Sequence, residues 1–317
     1  MQDRIGPLNA GPFGLLQPLA DGGKLFFKEE ITPDRSTKWI FLLAPALFMV
    51  VALMASVITP WGPDFTVDIA GEAYTFSLQV ADIDVGVLLV FAIVSIGLYG
   101  VMLGGWASNN KFSLLSAIRA ASQAISYELA FGLCLIALVM MTGTLSLKEI
   151  VEGQRGFWDN GYFTWNVFKQ PIGFIVFFVC ALAELNRAPF DMAESESELN
   201  TGYLLEYSSM KMGMFMFAEY INLFITSVLL STLYFGGYNF PWMDLVQEAV
   251  PSGIFALICF CVLMAKAIGF ILFIMFIRWT LPRFRFDQVL KLGWTGLIPV
   301  ALANMIITAA VILFITK

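Results

Sequence analysis

The chain has 317 residues, 59% of them hydrophobic and only 13% charged, with a net charge of -6 at pH 7 and a mean hydropathy of +0.79. One soluble core of this length could not hide so much apolar surface, so the bilayer must be its solvent. Histidine is absent, which removes the usual haem ligand and near-neutral proton shuttle and leaves proton chemistry to carboxylates, lysine, tyrosine and water.

The elements follow in chain order. Before the first apolar run, Leu15, Leu16, Leu19, Leu25, Phe26 and Phe27 alternate with Asp21, Lys24 and Lys28. This spacing predicts a helix with one apolar face that lies in the membrane interface or serves as a plain surface anchor. Seven apolar segments then predict spans near 38–59, 86–106, 117–141, 171–185, 212–235, 253–279 and 293–315. The fourth is marginally long, because Pro171 opens it and the polar stretch 184–187 closes it. Pro189 is expected to end that helix. The fold class is therefore an all-α polytopic transmembrane helix bundle. Residues 1–36 form a cytoplasmic or interfacial segment, and 37–317 form a seven-span membrane domain with loops near 107–117, 186–211 and 280–292.

Thirteen of the eighteen Lys and Arg residues fall on the amino-terminal side of these spans. The other side holds Lys148, Arg155, Lys169 and Lys317, and Lys266 lies mid-span. The positive-inside rule puts the amino end in the cytoplasm and the carboxyl end outside. The four cysteines, Cys134, Cys180, Cys259 and Cys261, lie in apolar runs as small hydrophobes and suggest no disulfide, iron–sulfur or other metal site. No removable signal peptide is expected. No CxxC cluster, Walker loop or dinucleotide fingerprint occurs. The adjacent Gly104 and Gly105 read as a close helix contact.

An ionisable side chain inside a span costs roughly 2.5–3.5 kcal/mol on insertion scales, so each one calls for an explanation. Glu128 in the third span, Glu184 at the end of the fourth, Glu219 in the fifth and Lys266 in the sixth are such residues. They either pair to fix helix packing or form a buried proton relay. The loop 186–211 gathers Arg187, Asp191, Glu194, Glu196, Glu198 and Glu206 beside a membrane end. The loop after the sixth span interleaves Arg278, Arg283, Arg285 and Lys291 with Trp279, Phe284 and Phe286. Taken alone, the first pattern suits a solvated face, and the second suits lipid headgroups or docking of a soluble partner.

Several stretches carry a resemblance to a known family. These are QDRIGP from Gln2, GPFGLLQPLADGGKLFFKEE from Gly11, LYGVMLGGWASNNKFSLLSAIRAASQAISYE from Leu98, ALAELNRAPFD from Ala181, ESEL from Glu196, EYSSMK from Glu206, AEYIN from Ala218 and RWTLPRFRFDQ from Arg278. In this order, over nearly the whole length, the chain resembles the H-type membrane subunit of respiratory complex I, the NADH:quinone oxidoreductase of the bacterial plasma membrane.

The resemblance implies a heel subunit between the electron-transfer arm and the antiporter-like membrane arm. Quinone would be the substrate, with no covalently bound cofactor in this chain. Flavin and iron–sulfur clusters would reside in partner subunits, and no nucleic acid is involved. It places Arg4, Asp21, Arg187, Asp191, Glu194, Glu196, Arg283 and Arg285 around the quinone tunnel or its junction. Glu128, Glu184, Glu219 and Lys266 fall on the buried proton path.

The chain departs from the family pattern in two places. Family members usually have eight spans, one of them before the QDRIGP motif, so the native polypeptide is expected to be longer at its amino end. The family also tends to carry proline and alanine where Ala193 and Ser195 stand. The competing readings are the ion-translocating subunit of a membrane-bound hydrogenase, which reduces no quinone, and a stand-alone transporter, which would work in liposomes without partners.

Overall fold

The computed structural model describes residues 6–69, 72–156, 164–193 and 196–315. Helix α1 (Gln17–Phe27) precedes α2 (Lys38–Ile58), and a hairpin of β1 (Phe65–Ile69) and β2 (Glu72–Phe76) follows. Then come α3 (Gly86–Ala107), α4 (Lys111–Thr142), the short α5 (Leu147–Glu152) and α6 (Asn166–Lys169), α7 (Pro171–Glu184) and α8 (Glu196–Leu199). The chain continues through α9 (Ser209–Tyr234), α10 (Met243–Ala249), α11 (Ser252–Thr280), α12 (Phe286–Lys291) and α13 (Ile298–Ile315), the last two joined by a π-helical turn over Leu292–Leu297. Among the described residues, α2, α3, α4, α9, α11 and the continuous α12–α13 run are long and apolar enough to cross a bilayer. Helix α7 has 14 residues, about 21 Å at 1.5 Å per residue, and is shorter than the hydrocarbon core.

Helix α4 is the centre of the bundle and packs against α3, α7 and α13. Its start is fixed by the Asn110 side chain, which accepts the Phe112 N–H at 3.0 Å. Its end is fixed by Gly143, whose left-handed φ of 76° only glycine adopts freely and whose N–H donates to the Val139 carbonyl at 2.8 Å. Tyr127, Leu138, Phe177, Leu230 and Tyr234 fill the interior, while large apolar side chains such as Leu43, Ile136 and Leu272 face outward, as lipid requires. The α3–α4 corner is tight. A Cβ on Gly105 would lie 2.6 Å from the Ser113 carbonyl oxygen, so the close approach needs glycine there.

The structure differs from the sequence expectation at four places. An antiparallel hairpin, β1–β2, stands among the helices. The loop expected over 107–117 shrinks to 108–110, because α4 runs six residues earlier than hydropathy suggests and buries the polar Ser113 and Ser116 against protein. Helix α7 ends at Glu184 rather than at Pro189, since Asn186 turns left-handed at φ 48°. The last loop is only 281–285, with Arg285 opening α12 and its N–H donating to Gln288 Oε1 at 3.1 Å.

Candidate functional site

The buried charges gather at the membrane end where α7 hands over to the loop before α9. Arg187 and Glu219 are both nearly buried and meet at 3.6 Å. The buried Tyr203 hydroxyl donates to the other Glu219 oxygen at 2.6 Å. The Arg187 guanidinium also lies over the Tyr220 ring, 4.9 Å from its centroid. Arg187, Glu219 and Tyr220, with Arg278 and Met216, line a cavity of about 200 Å³.

The loop that carries Arg187 is anchored on every side. Gln123 of α4 donates through Nε2 to the carbonyls of Ala183 at 2.8 Å and Phe190 at 2.9 Å, and the Ser116 hydroxyl donates to the Ala193 carbonyl. Arg283 meets Asp191 at 2.6 Å, and the Phe284 N–H donates to the Pro189 carbonyl at 3.2 Å. Arg119 binds Glu198 at 2.7 Å. Gly202, at φ 63°, passes so close to the Ala193 carbonyl that no Cβ fits. The two charged loops of the sequence are therefore one packed unit.

Deeper in the bundle, Glu184 shares a small cavity of about 50 Å³ with Asn186, Asn222 and Thr226. Glu219, Asn222 and Thr226 are three and then four residues apart on α9, so they lie on one helix face. The cavity also touches Ile93 and Gly97 of α3, which flank Ser95. The Ser95 hydroxyl donates to Glu128 of α4. About 10–15 Å³ of such space admits one water molecule, so this volume suits a few waters beside Glu184, Asn222 and Thr226.

The remaining sequence candidates lie elsewhere. Lys266 does not join the carboxylates through any described contact. Its ammonium donates to the carbonyls of Phe235 and Gly237, both at 2.8 Å, and of Asn239 at 2.5 Å, and sits 4.8 Å from the Trp165 ring centroid. Those carbonyls follow the end of α9, where the helix dipole is negative, so Lys266 acts as a C-terminal cap. Among the described residues, the side-chain contacts of Asp21 lie within α1, with Gln17 at 3.3 Å and Lys24 at 3.8 Å. Arg285 is exposed at the start of α12. Arg4 and Glu194 lie outside the described residues, and Glu196 opens α8.

Ser95, Tyr203, Asn222 and Thr226 escape a search for charge. Their only signal in sequence is polarity in or beside an apolar run. Among the described residues, no three His, Cys, Asp or Glu side chains could together hold a metal ion.

A multi-span helical membrane protein with partly buried carboxylates near a charged loop is the class that this fold and site define. A family model described as NADH dehydrogenase matches residues 1–309. The H-type subunit of the NADH-quinone oxidoreductase of Flavobacterium psychrophilum is 54% identical over 316 residues, covering 99% of this chain and 88% of that one. An H-type subunit of the NADH-quinone oxidoreductase of Cytophaga hutchinsonii is 53% identical over 313 residues, with the same coverage. The Rhodothermus marinus protein named NADH-quinone oxidoreductase subunit 8 is 43% identical over 313 residues, covering 98% of this chain and 87% of that one. The chain belongs to the NADH dehydrogenase family and is a membrane protein of that family.

Proposed function

We propose that this chain is the H-type membrane subunit of a proton-translocating NADH-quinone oxidoreductase. Its charged loops form part of the quinone tunnel, and its buried carboxylates begin the proton path. The observation that carries the reading is the polar series from the Arg187–Glu219 pair, through the cavity of Glu184, Asn222 and Thr226, to Glu128 and Ser95. Reduction of a quinone to a quinol consumes two electrons and two protons, so a tunnel beside a carboxylate chain can couple that chemistry to proton movement.

In this reading α7 is a seventh, short span, and α1 lies in the membrane interface with Leu19, Phe26 and Phe27 toward lipid. Residues 1–36 and 37–317 are the interfacial segment and the membrane domain. The chain sits in a bacterial plasma membrane with its amino end in the cytoplasm and its carboxyl end outside, as the positive-inside count supports. Arg4, Asp21, Arg187, Asp191, Glu194, Glu196, Arg283 and Arg285 surround the tunnel or its junction. Glu219, Glu184 and Glu128 relay protons. Lys266 lies further along the same series and holds the end of α9 in place. Electrons arrive from flavin and iron–sulfur clusters in peripheral partners, and antiporter-like membrane subunits continue the path.

Purification under mild detergent tests the proposal. Copurifying flavin and iron–sulfur subunits, with NADH-driven quinone reduction blocked by quinone-site inhibitors, are the expected result. An assembly that evolves hydrogen and leaves quinone unreduced would replace this reading with the hydrogenase one.

A further inference from the structure

We infer that the membrane face remote from Arg187 carries a headgroup site for a zwitterionic aminophospholipid. This goes beyond the quinone reading and does not depend on it. A cavity of about 590 Å³ opens there between the connection after α2, the end of α5 and the chain from Tyr238 to Phe255. That size lies within the range of small-molecule sites and far exceeds what one ion needs.

Its lining offers acceptor groups that suit a cation able to donate hydrogen bonds. Tyr238 is 2% exposed and lines the cavity, and no side-chain hydrogen bond joins its hydroxyl to a described residue. Burial and the nearby charges of Glu152 and Asp64 push this phenol up, so it stays neutral. Asn239 is 3% exposed and uses its amide nitrogen on the Val151 carbonyl at 2.5 Å, which leaves its Oδ1 without a donor among the described residues. Glu152 is exposed on the wall and joins no ion pair with a described residue. Asp64 is already held by Lys148 at 2.6 Å. Glu152, Asn239 and Tyr238 thus supply three acceptor groups to the lining of one cavity, a number that matches the three donors of a primary ammonium.

The rest of the lining supplies a complement to the rest of such a lipid. Arg155 spends Nε and Nη2 on Asp244 and Gln247, and no described residue accepts from its Nη1, whose donors suit a phosphate oxygen. Met243, Val250 and Phe255 give the cavity an apolar side. Ile254 and Leu257, on the first turns of α11, are more than half exposed and continue that side as a lipid-facing surface for acyl chains. A choline headgroup offers no N–H donor, and a phosphatidylglycerol headgroup brings no cation to Glu152.

The test labels the protein in its native membrane assembly, purified in mild detergent. The probes are three phospholipids with the same photoreactive acyl chain and an ethanolamine, choline or glycerol headgroup. Adducts are mapped by peptide mass spectrometry. Ethanolamine lipid should label the 243–257 segment about tenfold more than either of the others, the scale of one charge-assisted hydrogen-bonding partner. Glu152→Gln with Tyr238→Phe should bring its labelling down to theirs, in assemblies whose NADH oxidation by a water-soluble acceptor is unchanged. The headgroup comparison on the unaltered protein stands even if that double variant fails to assemble. Equal labelling by all three lipids would reduce the site to ordinary surrounding lipid, and no adduct with any of them would show the cavity to be closed to lipid.

Discussion

Arg187 and Glu219 form an ion pair at 3.6 Å in which both partners are nearly buried, with the Tyr203 hydroxyl on the second carboxylate oxygen. Removing one partner of such a pair strands the other and costs about 3–5 kcal/mol. Arg187→Ala should therefore lower the thermal stability of the detergent-purified assembly markedly and abolish most quinone reduction. Arg187→Lys keeps the charge but loses the planar contact with Tyr220 and should fall between. Thermal denaturation of the two variants side by side checks the order, and an Arg187→Ala assembly as stable as wild type would show that the pair contributes little.

Arg283 and Arg285 are two residues apart but differ in surroundings. Arg283 reaches the buried Asp191 at 2.6 Å, whereas Arg285 is exposed. Arg283→Ala should loosen the Arg187 loop and be seen as faster proteolysis of the 186–211 segment in the isolated membrane part. Arg285→Ala should leave that proteolysis unchanged and act, if at all, on docking of the peripheral arm, more than Arg285→Lys does. Indistinguishable proteolysis of Arg283→Ala and wild type would remove Arg283 from the loop's anchorage.

The Asp64–Lys148 pair ties the start of the hairpin to α5 at 2.6 Å. Burial opposes the Asp64 charge, but hydrogen bonds from Lys148 and Ser77 and the charge of Lys148 outweigh it and hold the carboxyl below its usual value. The bond to Asp64 pushes Lys148 above its usual value. A depressed acid stabilises above its unfolded pKa and loses that contribution as pH falls through the folded one. A raised lysine stabilises below its unfolded pKa and loses its contribution as pH climbs through the folded one. The pair therefore holds from about pH 4 to about pH 10. Being partly exposed it is worth only about 0.2–1 kcal/mol. Asp64→Asn should speed hydrogen exchange in 65–76 at neutral pH while leaving the spans unchanged, and the difference from wild type should shrink as pH falls below the ordinary aspartate value of about 4.

Six long apolar helices were legible in the sequence because hydropathy over twenty residues is a strong, local signal. Gly86, Pro171 and Lys38 stand at the starts of helices where composition changes abruptly. The early start of α4 was not legible, because Ser113 and Ser116 look like loop residues until the Ala193 carbonyl is seen to bind one of them. Glu128, Glu184 and Glu219 stood out as charges in lipid. Tyr203, which completes the Glu219 site, lies sixteen residues away in a polar loop and reveals itself only through the turn at Gly202. For Lys266 the residue stood out but not its partners, since carbonyls leave no trace in a sequence.

Lys266 gives a direct contrast between capping and relay. Its three donors satisfy the carbonyls of Phe235, Gly237 and Asn239, and a buried acceptor left unmet costs about 1–3 kcal/mol. Lys266→Met should sharply reduce assembly, whereas Lys266→Gln, with two donors and no charge, should recover a good part of it. If proton relay is the dominant role, Lys266→Gln should instead assemble normally and lose coupled turnover. Blue-native quantification together with quinone reductase activity separates these outcomes.

Glu128 has the opposite character, because the Ser95 hydroxyl is its one described hydrogen-bond partner and no cation neutralises it among the described residues. Glutamine keeps its shape and can accept the same hydrogen bond while removing the titratable proton. Glu128→Gln should accordingly preserve the fold. NADH oxidation by a water-soluble acceptor, which takes electrons ahead of quinone, should stay near the wild-type rate in the same membranes and so control for assembly. Quinone reduction should fall by about tenfold or more, within the range lost when a positioned proton donor or acceptor is removed, and proton uptake should fall with it, since the quinol cannot form without its protons. Ser95→Ala should have a smaller effect in the same direction, because it leaves the carboxyl in place and removes only the group that orients it. Undiminished quinone reduction with an unchanged proton-to-electron ratio in Glu128→Gln would return Glu128 to a packing role and leave Glu184 and Glu219 as the inward end of the path.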